Sequence, residues 1–480
     1  MEIKDLAPQN VWSIFDEITK IPRPSKKEGK IRQWLVDFAS KHNLECQVDE
    51  TGNVIMRKPA TPGREGSPMV TIQGHMDMVC EKVKGVEIDF DNDPIQTVID
   101  GEWVRARGTT LGADDGLGVA LGLAALTDDS FPHGPMEALF TYDEETGMTG
   151  ANNLQAGLLQ GKILINLDSE EDNLLYIGCA GGQDTVATFR YASVPAPTNL
   201  FYAHISVEGL KGGHSGGQIH EGHANALKLL ARFLLSQPDT LVVSDFHGGD
   251  KHNAIPREAE ALVGFPASRK EAVVAELNCF AAAVEDEYRN VEEGVKFNIQ
   301  STEAPATVIE QGVTDRFLRA LIACPHGVYA MSHTMENLVQ TSTNLASVKM
   351  NRPGFIEVAT SQRSNVESQK AEIALMVKTV FELAGAEVRQ SDGYPGWNPN
   401  PSAPIVKICS DVYEELFHEK AEILAIHAGL ECGLFLTKYP DVDMISFGPT
   451  LRDVHTPEER CLIESVPKMW LYLKTVLSRV

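Results

Sequence analysis

Phe140-Thr-Tyr-Asp-Glu-Glu-Thr-Gly147 places two adjacent carboxylates, Glu144 and Glu145, at the end of a strand-like run. The run covers residues 136–142 and is mostly apolar, and a glycine turn follows the acids. Adjacent carboxylates repel each other and are costly to remove from water, so a cationic group is expected beside them. This stretch therefore predicts a buried strand whose carboxyl end carries a charged site.

Other segments of the chain repeat this arrangement of polar residues at strand ends. His75 and Asp77 follow one apolar run, Asp168 ends another, and residues 112–118 carry two aspartates among glycines. Far downstream, His455 lies in a loop that contains glycine and proline. Histidines and carboxylates on such loops are ligands typical of divalent metals, here a pair of ions, with zinc favoured.

None of these patterns is specific by itself. In an extended segment His75 and Asp77 point to one side, so one can bind a metal while the other orients it, but such pairs are usually structural. Asp114 and Asp115 have the position of helix-capping acids, and the adjacent glutamates have the composition of a solvated turn. The combination of these motifs favours a metal site, because each motif lies at the end of an apolar run and beside glycine.

Composition limits the kind of protein. The 480 residues suffice for two or more domains, and 43% hydrophobic and 23% charged residues are typical of a globular chain. A net charge of −25 argues against binding to nucleic acid or to anionic membranes. No signal peptide or apolar run of about 18 residues is present, and the eight cysteines form no C-x-x-C pair. These features predict a cytoplasmic protein with reduced thiols.

The order of patterns predicts a domain interrupted by an insertion. Strands and helices alternate over residues 1–185, which favours an α/β sheet covered on both faces. Residues 186–395 change to an α+β pattern of two sheet-and-helix units. Residues 396–480 resume the α/β pattern, and they contain His455. Because this histidine completes the metal set, the middle region must return the chain to its first domain.

Taken together, the motifs resemble the aminoacylase/carboxypeptidase family of di-zinc peptidases. Gly-His-Met-Asp, Gly-Ala-Asp-Asp-x-x-Gly, Asp-Glu-Glu-x-Gly, a later Asp, Gly-Gly-His-Ser-Gly and His-Thr-Pro occur in the family's order. The resemblance extends from about residue 75 to residue 455 and implies a zinc-peptidase catalytic domain with a large inserted lid. The long insertion and the Asp-Asp motif resemble bacterial members that cleave dipeptides ending in histidine.

The resemblance implies two Zn²⁺ per chain, for which Mn²⁺ or Co²⁺ can substitute. His75 and Asp168 would hold one ion, Glu145 and His455 the other, and Asp114 would bridge both. A bridging carboxylate is needed because two dications about 3.5–4 Å apart repel strongly.

The same resemblance assigns roles to residues beside the ligands. Asp77 would brace His75, Asp115 would not be a ligand, and Glu144 would be the general base on the metal-bridging water. Further ligation by Cys80, His427 or Glu431 is disfavoured because the metal set is already complete.

Four further candidates lie downstream, His214 and Asn253 by the same resemblance and Arg363 and Gly429 by their chemistry and position. His214 would stabilise the tetrahedral oxyanion, Asn253 would contact substrate, and Arg363 would grip the substrate carboxylate bidentately. Gly429 would let the substrate backbone approach closely. A turn histidine and a merely solubilising arginine are the structural alternatives. The sequence leaves open whether His214 serves its own active site or that of a homodimer partner.

The resemblance implies a dipeptidase that acts on unblocked dipeptides, preferentially Xaa-His, including β-alanyl-histidine. In this family an aspartate at the position of Asp168 accompanies aminopeptidase- and dipeptidase-like members, whereas deacylases tend to carry glutamate. An aminotripeptidase or an N-acyl-amino-acid deacylase on the same scaffold is the alternative. A non-catalytic metal-binding protein is disfavoured, because Glu144 and every ligand position are present.

Overall fold

The computed structural model describes residues 2–237 and 240–480. Helices and strands are numbered separately in chain order. Up to residue 179 the helices are α1 Gln9–Ile18, α2 Gly29–Lys41, α3 Ala113–Thr127, α4 Glu144–Gly147 and α5 Thr149–Asn153. The strands in the same part are β1 Glu45–Val48, β2 Val54–Lys58, β3 Val70–His75, β4 Thr97–Asp100, β5 Trp103–Ala106, β6 Met136–Thr141, β7 Ile163–Asn166 and β8 Leu174–Cys179.

The middle of the chain is richer in strands. They are β9 Gly181–Arg190, β10 Ser193–Pro195, β11 Leu200–Glu208, β12 Gly213–His214, β13 Val242–Gly248, β14 Ala254–Ile255, β15 Ala259–Pro266, β16 Lys296–Thr302, β17 Thr307–Ile309, β18 Gly327–Met331, β19 Val339–Lys349, β20 Phe355–Ser364 and β21 Glu387–Gln390. The helices between them are α6 Ala226–Leu235, α7 Lys270–Glu287, α8 Gln311–Ala323 and α9 Glu367–Leu383.

Helices and strands alternate again in the last part. They are α10 Pro404–Phe417, β22 Glu422–Ile426, α11 Glu431–Leu436, β23 Asp443–Ser446, β24 Leu451–Arg452, β25 Arg460–Leu462 and α12 Ser465–Arg479. Short 3-10 turns lie at Ile3–Asp5, Ile219–Glu221 and Ala267–Arg269. Among the residues that the structure describes, no helix is both long and apolar enough to cross a membrane.

The described chain forms two compact units. The first unit runs up to Cys179 and resumes with Trp397–Ala425 and Leu430–Val480. The second unit consists of Ala180–Gly396 and the short segment Ile426–Gly429.

An eight-stranded mixed sheet in the order β1-β2-β6-β3-β7-β23-β8-β22 organises the first unit. Every residue of β3 and β6 is buried, as expected for a sheet covered on both faces, and this agrees with the predicted α/β architecture. Strands β6, β3, β7 and β23 are parallel neighbours. Their carboxyl ends therefore meet at one edge of the sheet, where ligands bind in open α/β sheets.

A nine-stranded sheet organises the second unit, in the order β16-β11-β15-β13-β19-β20-β9-β21 with β18 paired to β19. The two predicted sheet-and-helix halves are continuous in this sheet, because Gly248 of β13 pairs with Val348 of β19. Phe317 of α8 packs edge-on against Phe189 of β9 and Phe246 of β13. This cluster places one helix over strands of both halves.

Candidate metal centre

Asp114 lies between two histidines at the carboxyl edge of the first unit's sheet. Its Oδ1 is 3.0 Å from Nε2 of His75, and its Oδ2 is 3.0 Å from Nε2 of His455. Asp168 Oδ1 lies 3.5 Å from His75 Nε2, and Glu145 Oε2 lies 3.0 Å from His455 Nε2. The five predicted ligands thus form two groups of three that share Asp114, with ligand atoms within 4.8 Å of one another in each group.

Secondary structure explains why residues so far apart in sequence meet here. His75 is the last residue of β3, and Asp168 follows β7, which pairs with β3 in parallel. Glu145 lies in the single turn α4 after β6, and Asp114 lies at the start of α3 with non-helical backbone angles. His455 comes from the loop between β24 and β25, with a φ of 63°.

The buried Asp77 connects both halves of the centre. Its Oδ1 lies 3.3 Å from Nδ1 of His75 and accepts a hydrogen bond from the backbone N–H of Glu144 at 3.0 Å. Its Oδ2 accepts from Ser25 Oγ at 2.8 Å and from the N–H of Glu145 at 3.2 Å. Burial would raise the pKa of Asp77, but the contact with His75 lowers it to about 2. Asp77 therefore orients a histidine ring and also anchors the turn that carries both glutamates.

Asp115 belongs to neither ligand group. Its carboxylate accepts hydrogen bonds from the backbone N–H groups of His75 and Gly118, both at 3.1 Å. A methyl group at Gly74 or at Gly118 would collide with this carboxylate, which explains the glycines of both motifs. Burial raises the pKa of Asp115 to about 8. The peptide bond between Asp114 and Asp115 is cis.

Burial dominates the pKa values of two further acids, Glu144 and Asp168. It raises the pKa of Glu144 well above its usual value, against the opposing effect of His75, and Glu431 raises it further. Burial likewise raises the pKa of Asp168 well above its usual value. Glu431 is 1% exposed and lies outside both ligand groups, where its Oε2 accepts from Gln73 Nε2 at 2.6 Å. Buried carboxyls that are short of positive charge match the bound cation that the sequence predicts.

Glu459 holds the loop of Asp114, and sequence reasoning missed this role. Its two carboxylate oxygens accept hydrogen bonds from four successive backbone N–H groups, those of residues 111–114, at distances of 2.7–3.3 Å. The side chain is only 2% exposed. The glycine-rich start of α3 offers free N–H groups to an anion. An acid four residues after His455 was the signal in the sequence that such an anion is present.

Replacing Glu459 with alanine is expected to weaken metal binding about 10- to 100-fold, because Asp114 loses the support of its backbone. Titration of the metal-free protein with zinc or manganese measures this change. Glu458→Ala is the matched control, since the side chain of Glu458 is 59% exposed. Equal metal affinity in wild type and Glu459→Ala would contradict the role given to these four hydrogen bonds.

A second missed residue, Glu28, supports the turn before the glutamate pair. Asp143 adopts a left-handed conformation with a φ of 52°, and its backbone N–H donates to Glu28 Oε1 at 2.9 Å. The Glu28 side chain is fully buried, and its Oε2 has no hydrogen-bond partner in the described part of the chain. Burial raises the pKa of Glu28 to about 7. Between about pH 4.5 and pH 7 the carboxyl therefore takes up a proton when the chain folds.

Glu28→Gln is expected to make the protein less sensitive to rising pH. The folded wild type binds more protons than the unfolded chain between about pH 4.5 and pH 7, so its stability falls as pH rises through this window. Glutamine cannot ionise. The free energy of unfolding of the variant, relative to wild type, should therefore be higher at pH 8 than at pH 5 by on the order of 1 to 3 kcal/mol. Urea unfolding of the metal-free proteins at both pH values measures the gain, with the exposed Glu419→Gln as control. An equal gain in unfolding free energy at pH 5 and pH 8 would show that ionisation of Glu28 is not its cause.

The three inserted-region candidates lie in the second unit, and so does Gly429, although the sequence pattern predicted it in the first domain. His214 of β12 pairs with Ala254 of β14, and Asn253 accepts a hydrogen bond through its backbone oxygen from Ser215 N at 2.8 Å. Arg363 of β20 is only 8% exposed, which excludes a purely solubilising role, and its Nη1 donates to Tyr394 Oη at 3.1 Å.

Gly429 also lies beside Tyr394, a residue that sequence reasoning did not single out. A methyl group at Gly429 would come within 2.9 Å of the tyrosine ring. Tyr394 thus contacts two of the four candidates. Its position in a turn rich in proline and glycine gave no signal of this.

Comparisons with known proteins identify the family of the chain. Residues 71–479 match the model of peptidase family M20/M25/M40. The cytosol non-specific dipeptidase of Escherichia coli strain K12 is 40% identical over 481 residues, which cover 100% of this chain and 99% of that protein. The crystal structure of aminoacylhistidine dipeptidase from Vibrio alginolyticus superposes with a TM-score of 0.94 at 42% identity, covering 100% of this chain and 98% of that one.

A tripeptidase from Staphylococcus aureus shares only the fold, with 16% identity and a TM-score of 0.57 over 99% of this chain and 98% of that one. The full-length similarity and the family match confirm the resemblance seen in the motifs. The chain belongs to peptidase family M20/M25/M40 and is a hydrolase that acts on peptide bonds.

Proposed function

We propose that this protein is a metal-dependent dipeptidase that hydrolyses unblocked dipeptides and prefers Xaa-His, including β-alanyl-histidine. The observation that carries the proposal is the pair of ligand groups sharing Asp114, next to the half-buried Glu144. Both full-length relatives described above are named dipeptidases, and the name of the Vibrio protein specifies aminoacylhistidine substrates. The proposed preference for histidine rests on that name.

The donor set fits two divalent metal ions, and we propose zinc, with manganese or cobalt as substitutes. Family membership implies a divalent metal, and the donors here are two imidazole nitrogens and three carboxylates. Asp114 offers one oxygen to each group, and Glu145 Oε1 is buried with no hydrogen-bond partner among residues 2–237 and 240–480. When bound, such ions lower the pKa of water and stabilise charge at the attacked carbonyl.

Glu144 supplies the proton transfers in this proposal. Its raised pKa makes it a stronger base than an exposed glutamate, so it takes the proton of the attacking water. It then returns this proton to the leaving amine. Asp77 keeps Glu144 in place through the backbone N–H, which leaves the carboxyl free for this exchange.

We also propose roles in substrate binding for residues of the second unit. Arg363 is buried, and its Nε has no hydrogen-bond partner within the described residues, which supports a role in binding the substrate carboxylate. We assign the developing oxyanion to His214 and further substrate contacts to Asn253 and Gly429. The protein's cytoplasmic location is proposed by analogy with the cytosolic relative from E. coli. Assembly into a homodimer is a separate hypothesis that sedimentation analysis tests.

Hydrolysis of a substrate panel by the metal-loaded protein tests the function. The panel contains β-alanyl-His, Gly-His, Ala-Ala, a tripeptide and an N-acetyl amino acid. We expect cleavage of the His dipeptides with the highest kcat/KM, loss of activity with a chelator, and recovery on adding zinc, manganese or cobalt. Preference for the acetylated compound or the tripeptide would replace the proposal with a deacylase or an aminotripeptidase. Full activity after complete metal removal would refute the metal dependence.

A further inference from the structure

Two backbone amides hold the imidazole ring of His214. The N–H groups of Gly216 and Gly217 donate hydrogen bonds to His214 Nδ1 at 3.2 and 3.1 Å. A ring nitrogen that accepts a hydrogen bond carries no proton, so a neutral ring in this position carries its proton on Nε2.

The surroundings of His214 also favour the neutral ring. Burial lowers its pKa, and the guanidinium of Arg363 in the same unit lowers it further. At neutral pH the side chain is therefore an uncharged imidazole. The two amides then decide which of its nitrogens keeps the proton.

We propose that the amides of Gly216 and Gly217 fix His214 as the Nε2–H tautomer, so that it presents a neutral hydrogen-bond donor to the developing oxyanion. The oxyanion part of this inference rests on the proposed function above. A protonated Nε2 can neither bind a metal ion nor accept a proton, so the same contacts exclude His214 as a metal ligand and as a general base. Gly216 and Gly217 are positioning residues in this scheme.

The turn that carries these amides is itself held firmly. The N–H of His214 donates to Gln218 Oε1 at 3.0 Å, and the N–H of Gln218 donates back to the His214 carbonyl at 3.1 Å. The N–H of Ser215 donates to the Asn253 carbonyl at 2.8 Å. The direction of the two glycine N–H groups is therefore fixed before any substrate binds.

Gly216 occupies a place that admits no side chain. A methyl group there would collide with the carbonyl oxygen of His427 and would come within 3.0 Å of His214 Cε1. His427 cannot yield easily, because it is 7% exposed and its Nε2 lies 2.7 Å from Ser342 Oγ. A methyl group at Gly217 would meet only His214 Nδ1, at 3.9 Å. The two glycines therefore differ in what alanine would do.

Nitrogen NMR of protein labelled with ¹⁵N-histidine tests the tautomer directly. In wild type we expect His214 Nδ1 without a proton and Nε2 with one, and Gly217→Ala should retain this pattern because its amide remains. Gly216→Ala should lose it and lower kcat about 10-fold or more with little change in KM, since a donor to the oxyanion is displaced. Gly312→Ala is the matched control in the same unit, because a methyl group there meets nothing closer than 3.5 Å.

The possible outcomes separate this inference from the proposed function. A proton on Nδ1 of His214 in wild type, or a wild-type tautomer and kcat in a folded Gly216→Ala, would overturn the inference. The expected tautomer combined with full kcat in His214→Ala would instead remove His214 from the proposed reaction. In that case the assignment of the tautomer to the two amides would stand.

Discussion

Glu144→Gln is expected to lower kcat for the preferred His dipeptide by about 10²- to 10⁴-fold, the usual contribution of general acid–base catalysis. Glutamine has nearly the same size as glutamate but cannot take a proton from water. The hydrogen bond from residue 144 to Asp77 comes from the backbone, so it survives the substitution and the turn with Glu145 stays in place. Metal content should therefore remain at the wild-type level. Steady-state kinetics and metal analysis of the same preparation check both parts.

Glu431→Gln is the matched control for Glu144→Gln. Glu431 is a buried carboxyl that raises the pKa of Glu144, but it lies outside both ligand groups. Its loss should change kcat by less than about 10-fold, because glutamine can still accept the hydrogen bonds of Gln73 and Thr141. If Glu144→Gln kept its kcat within this range, the base would have to be sought elsewhere.

Asp114→Asn is expected to weaken metal binding more than about 100-fold, beyond the range for residues that only support a ligand. Asparagine offers one oxygen where Asp114 directs two, so one of the two histidines would face an amide nitrogen. Activity should fall with metal occupancy. Titration with zinc, followed by a rate measurement at each metal ratio, checks this expectation.

The neighbouring Asp115→Asn provides the matched control. Asp115 lies outside both ligand groups, and burial raises the pKa of its carboxyl, so a neutral amide is a close substitute there. Asparagine can keep one of the hydrogen bonds from the N–H groups of His75 and Gly118. Metal affinity should therefore stay within about 10-fold of wild type. Equal losses in both variants would show that Asp114 is no more a ligand than its neighbour.

The sequence was most informative where chemistry and secondary structure coincide. His75, Glu145 and Asp168 could be grouped because parallel strands end at the same edge of a sheet, and their side-chain types limit what can bind there. Asp114 and His455 joined this set through the combination of motifs, and the assignment of each ligand to one of two ions required the family resemblance. The mixed sheet of the first unit followed from the alternation of apolar runs with helices.

Other features left no readable pattern. Glu459 and Glu28 accept hydrogen bonds from backbone N–H groups of distant segments. Such bonds place no constraint on the side chains of the donor residues. The continuity of the second unit's sheet depends on the meeting of β13 and β19, at Gly248 and Val348. Tyr394 lies in a turn whose composition resembles that of any loop. These features depend on tertiary packing over long sequence separations, which local patterns do not encode.

The position of β23 has a consequence for biosynthesis. This strand comes from residues 443–446, yet it lies inside the first unit's sheet, between β7 and β8. When the whole second unit has left the ribosome, the nascent chain still lacks this interior strand and His455. The second unit can fold early as a domain, whereas the first must wait for the last segment to leave the ribosome. With His455 as a ligand, as proposed, the peptidase would stay inactive during its own translation, and fragments from premature termination would lack a complete metal centre.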